Sequence, residues 1–224
     1  MDPRLEPALK IAEFLLRIKA VRLEPQNPFT WASGWKSPIY CDNRKTLSHP
    51  VMRTFIRQQF VEAIQDKFGK PDMIAGVATG GIAHGALVAQ ELGLPFIYVR
   101  SSAKGHGLKN MVEGDLSQGR SVVVVEDLVS TGKSSLQAVA ALREEQCEVK
   151  GMVSIFTYGL KDATEAFAKE RVRLYALTNY NILLKQAIAD NYITEKDLQS
   201  LNSWRENPAE WGGTAAATAS GATA

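Results

Sequence analysis

The segment Val122-Val-Val-Val-Glu-Asp-Leu-Val-Ser-Thr-Gly-Lys-Ser-Ser135 indicates both a fold and the place of a site. Four consecutive valines are typical of a strand that is covered on both faces, as in a parallel sheet. The small residues at 130–134 predict a tight turn and the start of a helix, whose main-chain amides attract phosphate. Two acids, Glu126 and Asp127, stand between the valines and this turn. The sequence therefore predicts a polar site where the strand ends.

The end of this segment, Gly132-Lys-Ser134, matches part of a Walker A motif, but that motif requires its first glycine where this chain has Asp127. A carboxylate at that position would repel a triphosphate. Carboxylates do accept hydrogen bonds from sugar hydroxyls and bind Mg²⁺, while a turn of amides binds a single phosphate. Ribose 5-phosphate has both features, so it fits Glu126 and Asp127. The alternative is a buried strand whose terminal acids are only solvated.

The composition limits the classes of protein to which this chain can belong. A length of 224 residues with 45% hydrophobic content predicts a single domain, expected over residues 1–210. The formal net charge of +2 does not call for nucleic acid or a membrane as the principal partner. Two distant cysteines, Cys41 and Cys147, exclude a disulfide scaffold and predict reduced thiols. No signal peptide or membrane-length apolar run is evident, so we expect a cytoplasmic protein.

Short apolar runs alternate with helical patterns along the chain, which is typical of an α/β fold. The predicted strands are residues 73–77, 95–99, 122–125, 152–156 and 174–177. The predicted helices are residues 6–20, 50–68, 81–92, 132–145 and 192–206, and residues 29–40 predict a hairpin or tight bend. The alternation predicts a central, mainly parallel sheet flanked by helices on both faces.

We expect a core at residues 50–180, and a small hood formed by residues 1–48 and the C-terminal helices. Residues 212–224 consist of Gly, Ala, Thr and Ser alone, so they predict a disordered tail. In parallel sheets of this kind, ligands bind at the carboxyl ends of the strands. Residues 78–81, Arg100 and the two acids all follow predicted strands. His49 and His84, in or beside predicted helices, are expected to have structural roles.

The order of an apolar run, two acids, two apolar residues, Ser or Thr, a small residue and glycine resembles the ribose-phosphate signature of type I phosphoribosyltransferases. The resemblance implies the fold of that family and 5-phosphoribosyl 1-diphosphate (PRPP) as a substrate. It implies that Glu126 and Asp127 contact the ribose, with Mg²⁺ bound through PRPP and these acids. It also implies a pyrophosphate turn of Ala78, Thr79 and Gly80. The other implied PRPP contacts at this strand end are Leu128, Val129, Ser130, Thr131, Gly132, Lys133 and Ser134.

Residues 101–120 form a long glycine-rich stretch with no amphipathic period, and such loops are commonly functional or disordered. The segment Arg100-Ser-Ser-Ala-Lys-Gly-His-Gly107 resembles the catalytic loop of orotate phosphoribosyltransferases. This implies that Arg100, Lys104 and His106 contact the pyrophosphate. In that family the loop serves the site of the adjoining subunit, which implies a homodimer. The alternative is a surface loop with solvated lysines.

The segment Ser33-Gly-Trp-Lys-Ser-Pro-Ile-Tyr40 resembles the part of the same family that helps to hold the base, which implies orotate as the acceptor. Four cations of the family pattern are missing: Ala32, Gly80 and Ser101 stand where members often have a basic residue, and Tyr158 aligns with an arginine. Other groups must then bind the acceptor's carboxylate.

Arg44 and Lys36 are the candidates for this role, because arginine presents a planar fork that suits carboxylates. Ser130 and Tyr158 are further candidate contacts to orotate. The alternative for Arg44 is an ion pair with Asp42, or exposure to solvent.

The resemblance implies transfer of a ribosyl 5-phosphate group from PRPP to orotate, with Lys104, His106, Glu126 and Asp127 as the catalytic groups. Two other functions stay open. A purine phosphoribosyltransferase would keep the fold and change the acceptor, but the 33–42 segment and the Lys104–His106 loop disfavour it. A non-catalytic sensor of PRPP that controls gene expression would need a basic nucleic-acid surface, and the Arg and Lys residues here are dispersed.

Overall fold

The computed structural model of the chain describes residues 5–31, 34–101, 111–116 and 118–212. The helices in this part are α1 Leu5–Arg17, a 3₁₀ helix Asn43–Ser48, α2 Pro50–Phe68, α3 Gly80–Leu92, α4 Lys133–Glu144, α5 Lys161–Lys169, α6 Tyr180–Ala189 and α7 Glu195–Glu206. The strands are β1 Val21–Leu23, β2 Phe29–Thr30, β3 Lys36–Ser37, β4 Ile39–Cys41, β5 Met73–Val77, β6 Phe96–Val99, β7 Val112–Glu113, β8 Ser121–Val129, β9 Glu148–Thr157 and β10 Leu174–Asn179.

A six-stranded sheet in the order β10-β9-β8-β5-β6-β7 forms the centre of the molecule. Its neighbouring strands are parallel except β7, which is antiparallel to β6. All four valines at 122–125 are fully buried, as a strand covered on both faces requires. The α/β prediction with a mainly parallel sheet is therefore confirmed.

The connections between strands reverse direction at the middle of this sheet. From β5 the chain passes through α3 to β6 on one side, and from β8 it passes through α4 to β9 on the other side. Because such crossovers are right-handed, α3 and α4 lie on opposite faces. A crevice opens at the carboxyl ends of strands where the direction reverses, and ligands bind there in folds of this class. In this chain that place is between the ends of β5 and β8.

Both ends of helix α2 follow from the local sequence. Pro50 occupies the first turn, where its missing N–H group costs nothing, and Gly69 ends the helix with a φ of 72°. Ile56, Phe60 and Ile64, four residues apart, are fully buried against the core. The predicted bounds of this helix are confirmed.

The prediction that the valine strand ends before the acids was wrong, because β8 continues through Glu126 and Asp127 to Val129. Pairing with β5 ends at Val125, but pairing with β9 goes on, with Leu128 opposite Phe156 and Val129 opposite Thr157. The pairing with β9 therefore keeps the two acids in an extended strand.

Other predictions differ from the structure at their ends. The terminal helix begins at Glu195 instead of residue 192, because Thr194 and Asp197 form a capping box in which the Asp197 carboxylate accepts from the Thr194 amide at 2.9 Å. Helices α5 and α6 were not predicted, and neither were the short strands β1, β4 and β7. These strands have two or three residues each, too few to show a period of two.

N-terminal and C-terminal segments meet beside the sheet. Strand β1 pairs with β4, and β2 pairs with β3 as the predicted hairpin. The Trp204 ring of α7 packs 5.5 Å from Trp31 and 5.6 Å from Tyr158 between ring centroids. The expected hood and the domain limits stay a prediction, and most of 212–224 lies outside the described residues. Within the described ranges, no helix combines the length and hydrophobicity that crossing a bilayer requires.

Helix α3 carries a buried histidine that makes stability depend on pH. Burial, followed by the charge of Arg53, lowers the pKa of His84 from 6.5 to about 4. Because the unfolded chain binds this proton first, the contribution of His84 is complete above pH 6.5 and is lost as pH falls toward 4. We expect the free energy of unfolding to fall by about 2 kcal/mol from this group between pH 7 and pH 5. Denaturant titrations at several pH values measure it.

The matched variant is His84→Gln, whose side chain keeps an N–H donor but does not titrate. Its free energy of unfolding is expected to change less than that of the parent over the same range. Parallel curves for the two proteins would show that His84 makes no such contribution.

Candidate active site

A polar cavity of about 500 Å³ lies at the carboxyl ends of β5 and β8. It is lined by Cys41, Asp42, Arg44, Ala78, Thr79, Gly80, Ser101, Glu126, Asp127, Leu128, Ser130, Thr131, Gly132 and Ser134. Among the described residues that line this cavity, Arg44 is the positively charged side chain. The site predicted around Glu126 and Asp127 therefore lies at a cavity in the crevice between β5 and β8.

Two helix N-termini open onto this polar cavity. Helix α3 begins at Gly80, directly after the Ala78–Thr79 peptide, which is cis. Helix α4 begins at Lys133 behind Gly132, which has a φ of 79° and would bring a Cβ to 2.8 Å from the Phe167 ring, so glycine is required there. The main-chain amides at the starts of both helices and their positive dipole ends favour bound phosphate groups.

The two adjacent acids differ in what their carboxylates contact. Glu126 is only 4% exposed; it accepts from the Asp127 amide at 3.0 Å and from the Ser135 hydroxyl of α4 at 3.1 Å. Asp127 is half-buried and lies directly against Gly80, where a Cβ atom on residue 80 would overlap its carboxylate. Of the pair, Asp127 is the better placed to meet a substrate.

Burial and the neighbouring carboxylate also separate the two acids electrostatically. Burial raises the pKa of Glu126 well above its usual range, and the charge of Asp127 raises it further. Burial raises the pKa of Asp127 too, but hydrogen bonding with Glu126 and the charge of Arg44 act in the opposite direction. We conclude that Glu126 holds the proton more strongly and that Asp127 carries the negative charge of the pair.

A second cavity, of about 470 Å³, adjoins the first and has an aromatic wall. It is lined by Thr30, Trp31, Trp35, Tyr40, Cys41, Leu128, Ser130, Thr131 and Tyr158. No charged side chain is among these described residues. Such a wall suits a flat heterocyclic ring, which gains from stacking and loses its contact with water.

The two cavities share four lining residues: Cys41, Leu128, Ser130 and Thr131. A phosphorylated sugar in the polar cavity would therefore present one end to a planar ring in the aromatic cavity. Two reactants bound in these cavities would lie side by side and contact the same four residues, as a transfer reaction requires.

Comparison with known proteins agrees with this geometry. The family model of the phosphoribosyl transferase domain matches residues 47–172. An orotate phosphoribosyltransferase of Phocaeicola vulgatus is 58% identical over 200 residues, which cover 89% of this chain and 94% of that protein. The relative of that name from Listeria monocytogenes is 52% identical over 203 residues, which cover 91% of this chain and 97% of the relative. The chain belongs to the orotate phosphoribosyltransferase family.

A solved structure extends the likeness to three dimensions. The crystal structure of orotate phosphoribosyltransferase from Aeropyrum pernix superposes with a TM-score of 0.72 at 29% identity, covering 82% of this chain and 99% of that one. The predicted type I phosphoribosyltransferase fold is confirmed by this match and by the family model.

The structure brings most of the predicted PRPP contacts of this family member to the polar cavity. Its lining includes the pyrophosphate turn, both acids and Ser130, Thr131, Gly132 and Ser134, as well as Leu128. Val129 and Lys133 are not among the lining residues; Val129 is fully buried in the core, and Lys133 is exposed. Lys104 and His106, together with Ala32 and Ser33, lie outside the described residues.

The predicted cations have other partners in this structure. The Nε of Arg44 donates to Asp42 at 2.7 Å, while 59% of its side chain is exposed on the polar cavity. Arg100 lies 3.5 Å from Glu113 of β7. Lys36 donates to the Thr30 hydroxyl at 2.8 Å, and Thr30 in turn lines the aromatic cavity.

Several residues of the site were not predicted as site residues from the sequence. Asn43 donates from its side chain to the Asp127 carbonyl at 2.7 Å, and Ser135 fixes Glu126. Trp31 and Trp35 line the aromatic cavity. Cys41, which the sequence shows only as one of two reduced thiols, lies on the shared wall; both cysteines are free, as predicted. The Trp31 and Trp35 pair beside Ser33-Gly34 was the one usable signal, because aromatic residues in a loop frequently face a ligand.

Proposed function

We propose that this protein transfers the ribosyl 5-phosphate group of PRPP to orotate, giving orotidine 5′-phosphate and pyrophosphate in the pyrimidine pathway that leads to UMP. The bond between the anomeric carbon and the pyrophosphate oxygen breaks, and a bond from a ring nitrogen of orotate to that carbon forms. The proton of that nitrogen is released and is taken up by the pyrophosphate product. The observation that supports this proposal is the shared wall of Cys41, Leu128, Ser130 and Thr131 between a phosphate-binding cavity and an aromatic cavity.

Catalysis in this proposal is mainly electrostatic. Positive charge develops on the ribose ring, and Asp127 stabilises it from the polar cavity. The amides at 130–134 hold the 5′-phosphate, and the α3 N-terminus receives the pyrophosphate at Ala78, Thr79 and Gly80. Negative charge on the leaving group is stabilised by Arg100, Lys104 and His106 according to the family resemblance.

The donor set also fits Mg²⁺ that is held largely by the substrate. Within the described residues, no three His, Cys, Asp or Glu side chains are grouped as a metal site. Magnesium commonly binds through one or two carboxylates together with substrate phosphates. Asp127 would be that carboxylate, since both oxygens of Glu126 already accept hydrogen bonds within the protein. When bound, the ion supplies positive charge to the departing pyrophosphate.

A homodimer and a cytoplasmic location complete the proposal. The family resemblance supports the homodimer, with the loop that carries Lys104 and His106 completing the site of the neighbouring subunit. This loop also supplies cations that the described wall of the polar cavity lacks, where Arg44 is the positive side chain. The cytoplasmic location is the one expected from the sequence.

The direct test is consumption of orotate followed by its ultraviolet absorbance, with PRPP and Mg²⁺ omitted in turn. We expect turnover only when all three are present. Adenine and hypoxanthine in place of orotate should give no nucleotide. Turnover of a purine would establish the purine enzyme, and PRPP binding without any turnover would establish the sensor.

Arg44 provides a test of how the acceptor's carboxylate is held. Replacing Arg44 with alanine should raise the KM for orotate at least about 10-fold, because a charge-assisted hydrogen bond contributes roughly 1.5–3 kcal/mol. The KM for PRPP should rise less. Steady-state kinetics with each substrate varied measures both.

Arg17→Ala is the matched control for Arg44→Ala, since Arg17 is also an exposed arginine paired with an acid, Glu13 at 3.4 Å, and lies on α1 away from both cavities. Equal rises in both KM values for Arg44→Ala would mean that Arg44 serves the site generally. A rise in the KM for PRPP alone would assign Arg44 to the donor.

A further inference from the structure

Asn43 is a fully buried residue of the 3₁₀ helix that joins three parts of the molecule. Its side-chain amide donates to the Asp127 carbonyl of β8 at 2.7 Å. Its side-chain oxygen accepts from the Cys41 thiol of β4 at 3.2 Å. Its main-chain carbonyl accepts from the Thr46 hydroxyl at 2.6 Å, and Thr46 also lies 3.2 Å from the Nε2 of His84 on α3.

The directions of these hydrogen bonds follow from the number of protons available. Thr46 has one hydroxyl proton, and Asn43 receives it, so toward His84 the Thr46 oxygen can only accept. His84 must then carry its proton on Nε2, in agreement with the pKa of His84, which burial lowers to about 4. The Cys41 thiol likewise donates, and this fixes which end of the Asn43 amide faces Asp127.

The position of the Asp127 carbonyl makes this contact important for the site. Pairing of β8 with β5 ends at Val125, two residues before Asp127. Beyond that point, on the part of β8 that carries the acid, Asn43 is a fixed partner reaching the main chain from the 3₁₀ helix. A buried carbonyl without a partner is costly, so the Asn43 amide holds this peptide group in one orientation.

We propose that Asn43 is a positioning residue for Asp127. It acts through the Asp127 main chain, holding the carboxylate between Gly80 and the polar cavity, and the Cys41 thiol selects the orientation of its amide. The same contact links the acid to β4, whose residue Cys41 lies on the wall shared by both cavities. The proposal rests on the proposed function, because the effect of misplacing Asp127 is read in that reaction.

The test compares the parent with Asn43→Ala, Asn43→Leu and Asn181→Ala. Leucine keeps the branched shape and the number of heavy atoms of the side chain, and removes both hydrogen bonds. Asn181 is an exposed asparagine that accepts a hydrogen bond from Arg205 and is the control for a surface amide. Circular dichroism and thermal melts give the folded fraction, and kinetics with PRPP and orotate give kcat and both KM values.

We expect kcat per folded protein to fall about 10-fold in both Asn43 variants, while the KM for orotate stays within about two-fold of the parent. Asn181→Ala should match the parent. A kcat within two-fold of the parent, or loss of folding in both Asn43 variants, would overturn the positioning role and leave Asn43 a structural residue. A parent enzyme without orotate turnover would instead overturn the proposed function, which separates the two failures.

Discussion

Asp127→Asn is expected to lower kcat about 100-fold while the fold is kept. The substitution preserves the shape of the side chain and removes the negative charge that would stabilise the developing positive charge on the ribose. One aligned charge of this kind contributes about 3 kcal/mol to the barrier, which corresponds to this factor. Single-turnover rates with PRPP, Mg²⁺ and orotate measure the chemical step separately from product release.

Glu126→Gln is the control for Asp127→Asn, because it tests whether the two adjacent acids have different roles. Burial and the Asp127 charge raise the pKa of Glu126, so this carboxyl holds a proton more strongly than that of Asp127, and its oxygens accept from the Asp127 amide and the Ser135 hydroxyl. A neutral glutamine keeps an acceptor for the Asp127 amide, and its NH2 group can donate to the Ser135 hydroxyl, so that hydrogen bond reverses direction. We expect a loss in kcat of less than about 10-fold. Equal losses for both substitutions would contradict the division of roles between the two acids. An unchanged kcat in Asp127→Asn would remove Asp127 from the mechanism.

The central sheet could be predicted because its sequence signals are local. Four valines followed by two acids mark β8, and Pro50 and Gly69 mark the ends of α2. The short strands β1 and β4 could not be predicted in the same way, since they have three residues each and depend on pairing with each other. A tertiary contact adds to this pairing, because the Trp31 indole donates to the Ile39 carbonyl of β4 at 3.1 Å.

The site was predictable in its chemistry and less so in its geometry. The acids and the small-residue turn follow from residue types, the pyrophosphate turn follows from the family resemblance, and all of them line one cavity. The different surroundings of Glu126 and Asp127 depend on β8 continuing past Val125, because successive residues of a strand face opposite sides. Glu126 accordingly bonds Ser135 of α4, whereas Asp127 lies against Gly80 of α3 on the opposite face.

Long-range contacts of uncharged polar residues were invisible in the sequence. Asn43 stands between Asp42 and Arg44, and nothing in that order indicates a hydrogen bond to residue 127. The same holds for Cys41, which lines both cavities. The distances from such residues to the site depend on the fold, so the sequence alone does not show them.

Gly80→Ala is expected to lower kcat/KM for PRPP about 100-fold with little change in stability. A Cβ atom at residue 80 would overlap the Asp127 carboxylate, so either the acid or the pyrophosphate turn must move. A displacement of about 1 Å at a reacting centre costs on the order of 100-fold in rate. The Asp127 side chain can turn away without disturbing the sheet, and the thermal midpoint should therefore stay close to that of the parent. Kinetics and thermal melts on the same preparation measure the two effects.

Two substitutions on the same helix separate the site from the fold. A Cβ at Gly81 would overlap the main-chain oxygen of Val125 in the central strand, which cannot turn aside, so Gly81→Ala should lower the thermal midpoint. Ala86→Ser, at an exposed position of α3, should change neither quantity. If Gly80→Ala retained full kcat/KM, the close approach of the pyrophosphate turn to Asp127 would have no catalytic role. If it lost stability as Gly81→Ala does, Gly80 would be needed for the packing of α3, and its effect on rate would follow from that.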